Sequence, residues 1–214
     1  MKKAIMSWGG WKGHEPEQCT NKVAEMLRGE DYEVEVFDTL DVFKDADKTM
    51  SADVLIPCWT MSEIDKEQCE GLMNAVKEGV GLAGWHGGMG DSFRTNCNFQ
   101  FMVGGQFVSH PGGIKDYTVN ITKSDDPIVQ GLSDFDMKSE QYFMHVDPSN
   151  EVLATTTFHV DDMPWIDGTV MPVMWKRMWG KGKVFYSSLG HVATDFDVPE
   201  VMETMKRGII WATR

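Results

Sequence analysis

Short apolar or alternating runs recur along the chain at strand length: KKAIMSW (2–8), YEVEVFD (32–38), DVLIPCW (53–59) and GVGLAGWH (79–86). Between most of them the period changes to that of a helix. Over residues 16–28 the apolar positions Cys19, Val23, Met26 and Leu27 fall at i, i+4, i+7 and i+8, one helical face, and Gly29 stops the pattern. Residues 62–78 repeat it with Cys69, Leu72, Met73 and Val76, Ser62 being the predicted N-cap with Asp65 three residues on. Residues 40–50 fit either a short helix or a loop.

Parallel strands need long crossovers, so strand and helix in alternation predict a parallel sheet covered on both faces. Past about residue 105 the texture changes. QFVSH, YTVNIT, EVLATTTF, PVMWKRMW and KVFYSSLGH read as strands with little helix between them, and GKGK (180–183) as a hairpin turn. A last helix is predicted over residues 198–213, opened by Asp197 and Glu200 as a capping pair and carrying Val201, Met205, Ile209 and Ile210 inward. The reading is a doubly wound α/β fold with a mostly parallel sheet, helices on both faces and extra antiparallel strands in the second half.

No linker, repeat or low-complexity segment divides the 214 residues, so one domain over residues 1–214 is expected. No apolar run is long enough for a bilayer. MKKAIMSWGG has too few apolar residues for a secretory leader, and a cytoplasmic location is expected. The 33 acidic residues against 20 basic ones give a formal charge of −13, which repels phosphate backbones and anionic lipid. Neither nucleic acid nor a membrane is an expected partner. Cys19, Cys58, Cys69 and Cys97 show no CxxC spacing and sit in apolar patterns, so reduced core thiols are expected.

Ligands of open parallel sheets bind outside the carboxyl ends of the strands. There the first run delivers Trp8 and a loop with Trp11, His14 and Glu15, and the third delivers Cys58 and Trp59. The fourth delivers Trp85 and His86, and KVFYSSLGH delivers His191, followed by Asp195. Tryptophans on one rim suit either a core or a wall for a sugar face. In GLAGWHGGMGDSF (81–93), glycines flank His86 as they flank the apex of a strand-to-helix elbow; a plain tight turn or an anion-binding nest is the alternative. The stretch lacks the GK[ST] ending of a phosphate loop, and no nucleotide cofactor is expected.

His14, Glu15, His86, His110, Glu140, His145, His191 and Asp195 form a pool of nitrogen and oxygen ligands. A zinc-like divalent metal needs three or four such groups converging at about 2.0–2.2 Å, and His14, His86 and His191 are the candidate ligands. Without metal, a histidine and a carboxylate still make a general acid–base pair. His110 and His145 also fit loop-ordering roles.

GLAGWHGGMGDSFR (81–94), FMVGGQFVSHPGG (101–113), DDPIVQGLSDF (125–135), SEQYFMHVDP (139–148) and GKVFYSSLGHVATDF (182–196) resemble, in this order, the trehalose-utilisation (ThuA-like) family of the class I glutamine amidotransferase-like superfamily. The resemblance implies a flavodoxin-like fold and a homodimer. Amidotransferases place a cysteine at the elbow apex and a glutamate two residues after the late histidine; here those places hold His86 and, after His191, Ala193. Imidazole cannot replace that thiolate, so glutaminase chemistry is not expected. Cys58 remains as a thiol at another strand end, read as buried.

The family association implies an enzyme acting on a sugar or keto-sugar by hydrolysis, elimination or isomerisation. His86 and His191 would bear the chemistry, with Glu140 or Asp195 orienting or assisting. Trp8, Trp11, Trp59, Trp85, Asp91 and His110 would contact the sugar. The second expectation is a catalytically idle fold that binds a sugar or a protein as a regulator.

Overall fold

The computed structural model describes residues 1–214. The first half alternates as expected: β1 (Lys2–Gly10), α1 (Pro16–Gly29), β2 (Tyr32–Phe37), α2 (Ala46–Ser51), β3 (Val54–Thr60), α3 (Lys66–Lys77) and β4 (Gly81–Trp85). Two short helices follow, α4 (His86–Gly90) and α5 (Cys97–Val103). The second half runs through β5 (Gly105–Ser109), β6 (Ile114–Ile121), β7 (Phe135–Glu140), β8 (Phe143–Val146), β9 (Glu151–Thr157), β10 (Val170–Trp179) and β11 (Gly182–Ser187), closing with α6 (Pro199–Ala212).

Nine strands form one sheet in the order β2-β1-β3-β4-β11-β10-β9-β6-β7. β2, β1, β3, β4 and β11 are mutually parallel, and β10, β9, β6 and β7 extend the sheet by antiparallel pairings. The parallel part has the flavodoxin-like strand order, with its switch point between β1 and β3. β5 and β8 pair only with each other, as a separate two-stranded ribbon.

Each face of the sheet buries its own apolar cluster. Val23 and Leu27 of α1 join Val201, Met205 and Ile209 of α6 on one side. Leu72 and Val76 of α3 join Phe99 and Met102 of α5 on the other. Because helices cover both faces, the central strands are apolar throughout rather than alternating, as in DVLIPCW.

Several local expectations are corrected. Ser62 does not cap α3: Met61 and Ser62 take left-handed φ values of 59° and 56° as the chain turns out of β3. Asp65 is the cap instead, in a reciprocal box with Gln68. Residues 40–50 form a 3₁₀ turn, Asp41–Lys44, and then α2, which Asp45 caps by accepting from the Lys48 amide. At α6 the Asp197 carboxylate is engaged by Lys22 rather than by the helix, which starts on Pro199 with no side-chain cap. Ile210, expected inward, is exposed. Cys19, Cys58 and Cys69 are buried free thiols, whereas Cys97 opens α5 on the surface. The hairpin turn at Gly180 forms as expected, Gly180 taking φ 59°.

Candidate functional site

The carboxyl ends of β1, β3, β4 and β11 bring together side chains far apart in sequence. β4 ends at Trp85, and His86, the first residue of α4, takes φ 41°, a left-handed value uncommon for a residue with a Cβ. It stands at the apex of the elbow. The glycine after it is required by close approach: a Cβ on Gly87 would lie 2.6 Å from Nδ1 of His14, which the loop after β1 lays across it. On Gly88 a Cβ would lie 2.9 Å from Sγ of Cys58.

Three imidazoles surround one carboxylate. Oε2 of Glu140 lies 3.1 Å from Nε2 of His86 and 3.8 Å from Nε2 of His14, and Oε1 lies 3.5 Å from Nε2 of His191. One ligand atom from each of these four residues falls within 4.8 Å of all the others. His110 approaches Oε1 at 3.6 Å from the open side.

Two of the far nitrogens are tied down. His86 Nδ1 lies 2.8 Å from the carbonyl oxygen of Ser188, and since a carbonyl only accepts, Nδ1 carries the hydrogen. His14 Nδ1 is hydrogen-bonded at 3.0 Å to Oγ1 of Thr60, the last residue of β3. His191 is set through its backbone: its amide donates to Oδ2 of Asp195, which also accepts from the Ser139 hydroxyl. Glu15 accepts from the Ala193 amide, joining the loop after β1 to the loop that carries His191.

Burial, helped by the neighbouring His86, lowers the His14 pKa to about 3. Burial lowers that of His191 as well. For Glu140 burial pushes upward, but the hydrogen bond with His86 and the charges that His86, His191 and His110 carry when protonated outweigh it and hold the carboxyl at about 2. At neutral pH the centre therefore offers a carboxylate and, at His14, a neutral imidazole lone pair, the states in which these groups bind metals.

A cleft of about 270 Å³ opens above the cluster. Glu140 and His14 lie at its floor, and its walls include Trp11, Asp91, Arg94, Phe107, His110 and Tyr142. The Tyr142 ring stacks on His86 with centroids 3.9 Å apart.

The structure also corrects several expected contacts. Trp85 is 1% exposed, packs edge-on against Phe196 and cannot touch a ligand. Trp8 packs on the same core, and Trp59 lies across Gly9 and the opposite core. Of the four tryptophans Trp11 alone lines the cleft. Asp91 reaches the cleft wall but is 1% exposed, its carboxylate held by Arg94. Asp195 is buried on Ser139 and the His191 amide and does not line the cleft. His145 is exposed on β8 beside Pro148, outside the cleft. Cys58 is buried, and burial raises its thiol to about 12, which leaves no thiolate nucleophile at neutral pH.

Thr60, Tyr142, the Ser188 carbonyl and Arg94 carry no signal in the hydrophobic pattern. Tyr142 and Arg94 do lie inside the motifs SEQYFMHVDP and GLAGWHGGMGDSFR, each within three residues of a candidate site residue, Glu140 and Asp91 respectively.

Fold and site together define a flavodoxin-like α/β protein whose elbow and late-strand loop present imidazoles around a carboxylate instead of a thiol nucleophile. The model of the ThuA family, described as trehalose utilisation, matches residues 3–212, and the chain belongs to that family. Membership supports a carbohydrate-related role. The fold is shared with a putative ThuA-like protein from Bacteroides uniformis ATCC 8492, at 16% identity and a TM-score of 0.81 over 99% of this chain and 91% of that one. A putative ThuA-like protein from Parabacteroides merdae ATCC 43184 gives 15% identity and 0.77 over 99% and 89%. A protein from Salmonella typhimurium LT2, described as cytoplasmic, gives 12% and 0.72 over the full length of both chains. No curated protein matches the sequence. No helix is long and apolar enough to cross a membrane.

Proposed function

We propose that the cleft is the active site of an enzyme acting on a sugar or keto-sugar, and that His14, His86, His191 and Glu140 hold one divalent, zinc-like cation there. The observation that carries this reading is the convergence of three Nε2 atoms on one carboxylate while two of the far nitrogens are bonded to protein oxygens. Outer-shell bonds of that kind fix the tautomer of metal-binding histidines. Ligands at about 2.0–2.2 Å in a tetrahedron stand about 3.3–3.6 Å apart. The 3.5 Å separation from Glu140 to His191 falls in that range, and the 3.1 Å and 3.8 Å separations to His86 and His14 lie just below and just above it.

A cation facing the cleft would polarise a carbonyl or hydroxyl oxygen of the substrate, which serves hydrolysis, elimination or isomerisation alike. His110, outside the ligand set and on the open side, is placed to meet a substrate proton. Tyr142 braces the His86 ring from the cleft wall.

Metal content measured by mass spectrometry on protein purified without a histidine tag tests the reading. Close to one metal per chain is expected for the native sequence, lost in His86→Ala and His191→Ala. No metal in the native protein, with sugar affinity indifferent to both substitutions, would replace the enzyme with a binding protein built on an amidotransferase-like fold.

A further inference from the structure

The same cleft is lined by a cation that takes no part in that cluster. Arg94 donates from Nε to Oδ1 of Asp91 at 2.6 Å and from Nη2 to Oδ2 at 2.8 Å, a two-point fork onto a carboxylate that is itself buried. Its guanidinium carbon lies 5.7 Å from the centre of the Phe107 ring. The plane of the group is thus fixed by hydrogen bonds at one edge and an aromatic ring at its face, although half of the side chain is exposed. The outer edge, Nη1 and the second N–H of Nη2, has no protein acceptor, and Arg94 lines the cleft.

The size of the cleft limits what that edge meets. About 270 Å³ lies below the roughly 300–1,000 Å³ of sites that enclose drug-sized molecules, so the space takes one sugar ring and not two. Trp11, half exposed at the lip, folds over Gly13 so closely that a Cβ there would lie 2.4 Å from its indole nitrogen. Its exposed half extends the cleft wall as a platform beyond the enclosed part.

We propose that Arg94, braced by Asp91 and Phe107, is the specificity-determining residue of the cleft, donating to adjacent oxygens of a single sugar ring seated between it and the histidine cluster. The second ring of a disaccharide then stays outside, against Trp11 or in solvent. The proposal rests on the sugar reading of the cleft but not on the cation. Lysine is no substitute at such a site, because an ammonium cannot span Asp91 and the ring oxygens in one plane.

Calorimetric titration of the cobalt-loaded and the chelator-treated protein with methyl glucoside and with trehalose tests this, using the native sequence, Arg94→Lys and Arg94→Ala. Thermal melting and cobalt stoichiometry confirm that each variant is folded and loaded. The native protein is expected to bind the two sugars within about threefold of each other, and both Arg94 variants to bind each at least about tenfold more weakly with cobalt binding unchanged. Arg94 variants that bind sugar like the native protein overturn the proposal. So does trehalose binding more than about tenfold tighter than methyl glucoside, which needs two enclosed rings. Cobalt bound with no sugar bound overturns it and leaves the metal centre standing. Sugar bound through Arg94 in a protein that takes no cobalt supports it while removing the metal.

Discussion

Nε2 of His86 faces Oε2 of Glu140 at 3.1 Å while its Nδ1 donates to the Ser188 carbonyl. With the ring hydrogen engaged by Ser188, a neutral His86 points a lone pair at a carboxylate. Two acceptors at that distance repel unless a cation, a proton or a metal, lies between them. Cobalt titration of the metal-free protein, followed by its visible spectrum, is expected to saturate at one equivalent. Glu140→Gln, which keeps the shape and removes the charge, should weaken binding at least about tenfold. Equal affinity in the two proteins would leave the proton as the shared cation.

Thr60 acts on the centre without touching it. It fixes the His14 ring through Nδ1, and it is buried at the end of β3. Thr60→Val keeps the branched shape and frees the ring, so cobalt affinity should fall about 10–100-fold with little change in melting temperature. If affinity holds, packing alone positions His14.

The pH dependence of the metal-free protein follows from the lowered pKa values of His14, His191 and Glu140. His14 falls from 6.5 to about 3 and Glu140 from 4.5 to about 2. Between each pair of values the unfolded chain binds the proton and the folded one does not, so acid favours unfolding. Stability is at its full value above about pH 6.5, declines through the His14 window below it, and declines further through the Glu140 window below about pH 4.5. Melting temperatures of the chelator-treated protein between about pH 7.5 and 4 should fall on acidification, and His14→Gln should flatten the first limb. A melting temperature that rises between about pH 6.5 and 5 would contradict the buried, neutral His14.

The sequence carried the parallel half well because each of its elements has its own period and its own stop, as α1 has with Cys19, Val23, Leu27 and the closing glycine. Strand ends then located His14, His86 and His191 without further information, since a parallel sheet points its carboxyl ends to one rim. Glu140 is different. It ends β7, the last strand of the antiparallel extension, and reaches the same centre from outside the parallel rim. Strand periodicity did not point to it, and it entered only as one member of a pool of nitrogen and oxygen ligands. Residues at the same rim differ in exposure for reasons that no spacing encodes: Trp85 and Trp11 both lie at strand ends, yet one packs under Phe196 and the other lies open over Gly13. The outer bonds of the histidines, to Thr60 and the Ser188 carbonyl, are likewise contacts between distant strands and leave no local trace.

Two glycine-to-alanine changes in helices separate the needs of the fold from those of the site. Gly29 closes α1 with no left-handed φ, and a Cβ added there would have nothing within 4 Å. Gly29→Ala should therefore stabilise the protein by about 0.4–1 kcal/mol through the unfolded chain. Gly87 is also helical and also free of a left-handed φ, so the same chain-entropy gain applies there. Its Cβ, however, would lie 2.6 Å from Nδ1 and 2.7 Å from Cε1 of His14, and 2.9 Å from Cγ2 of Thr60. Overpacking of about 1–3 kcal/mol should more than offset the gain and push the His14 ring away from Glu140. Melting temperature should therefore rise for Gly29→Ala and fall for Gly87→Ala, and cobalt affinity should drop at least about tenfold only in the second. Unchanged cobalt affinity in a folded Gly87→Ala protein would show that His14 moves with its loop and that the centre tolerates it, reducing the ligand set to His86, His191 and Glu140.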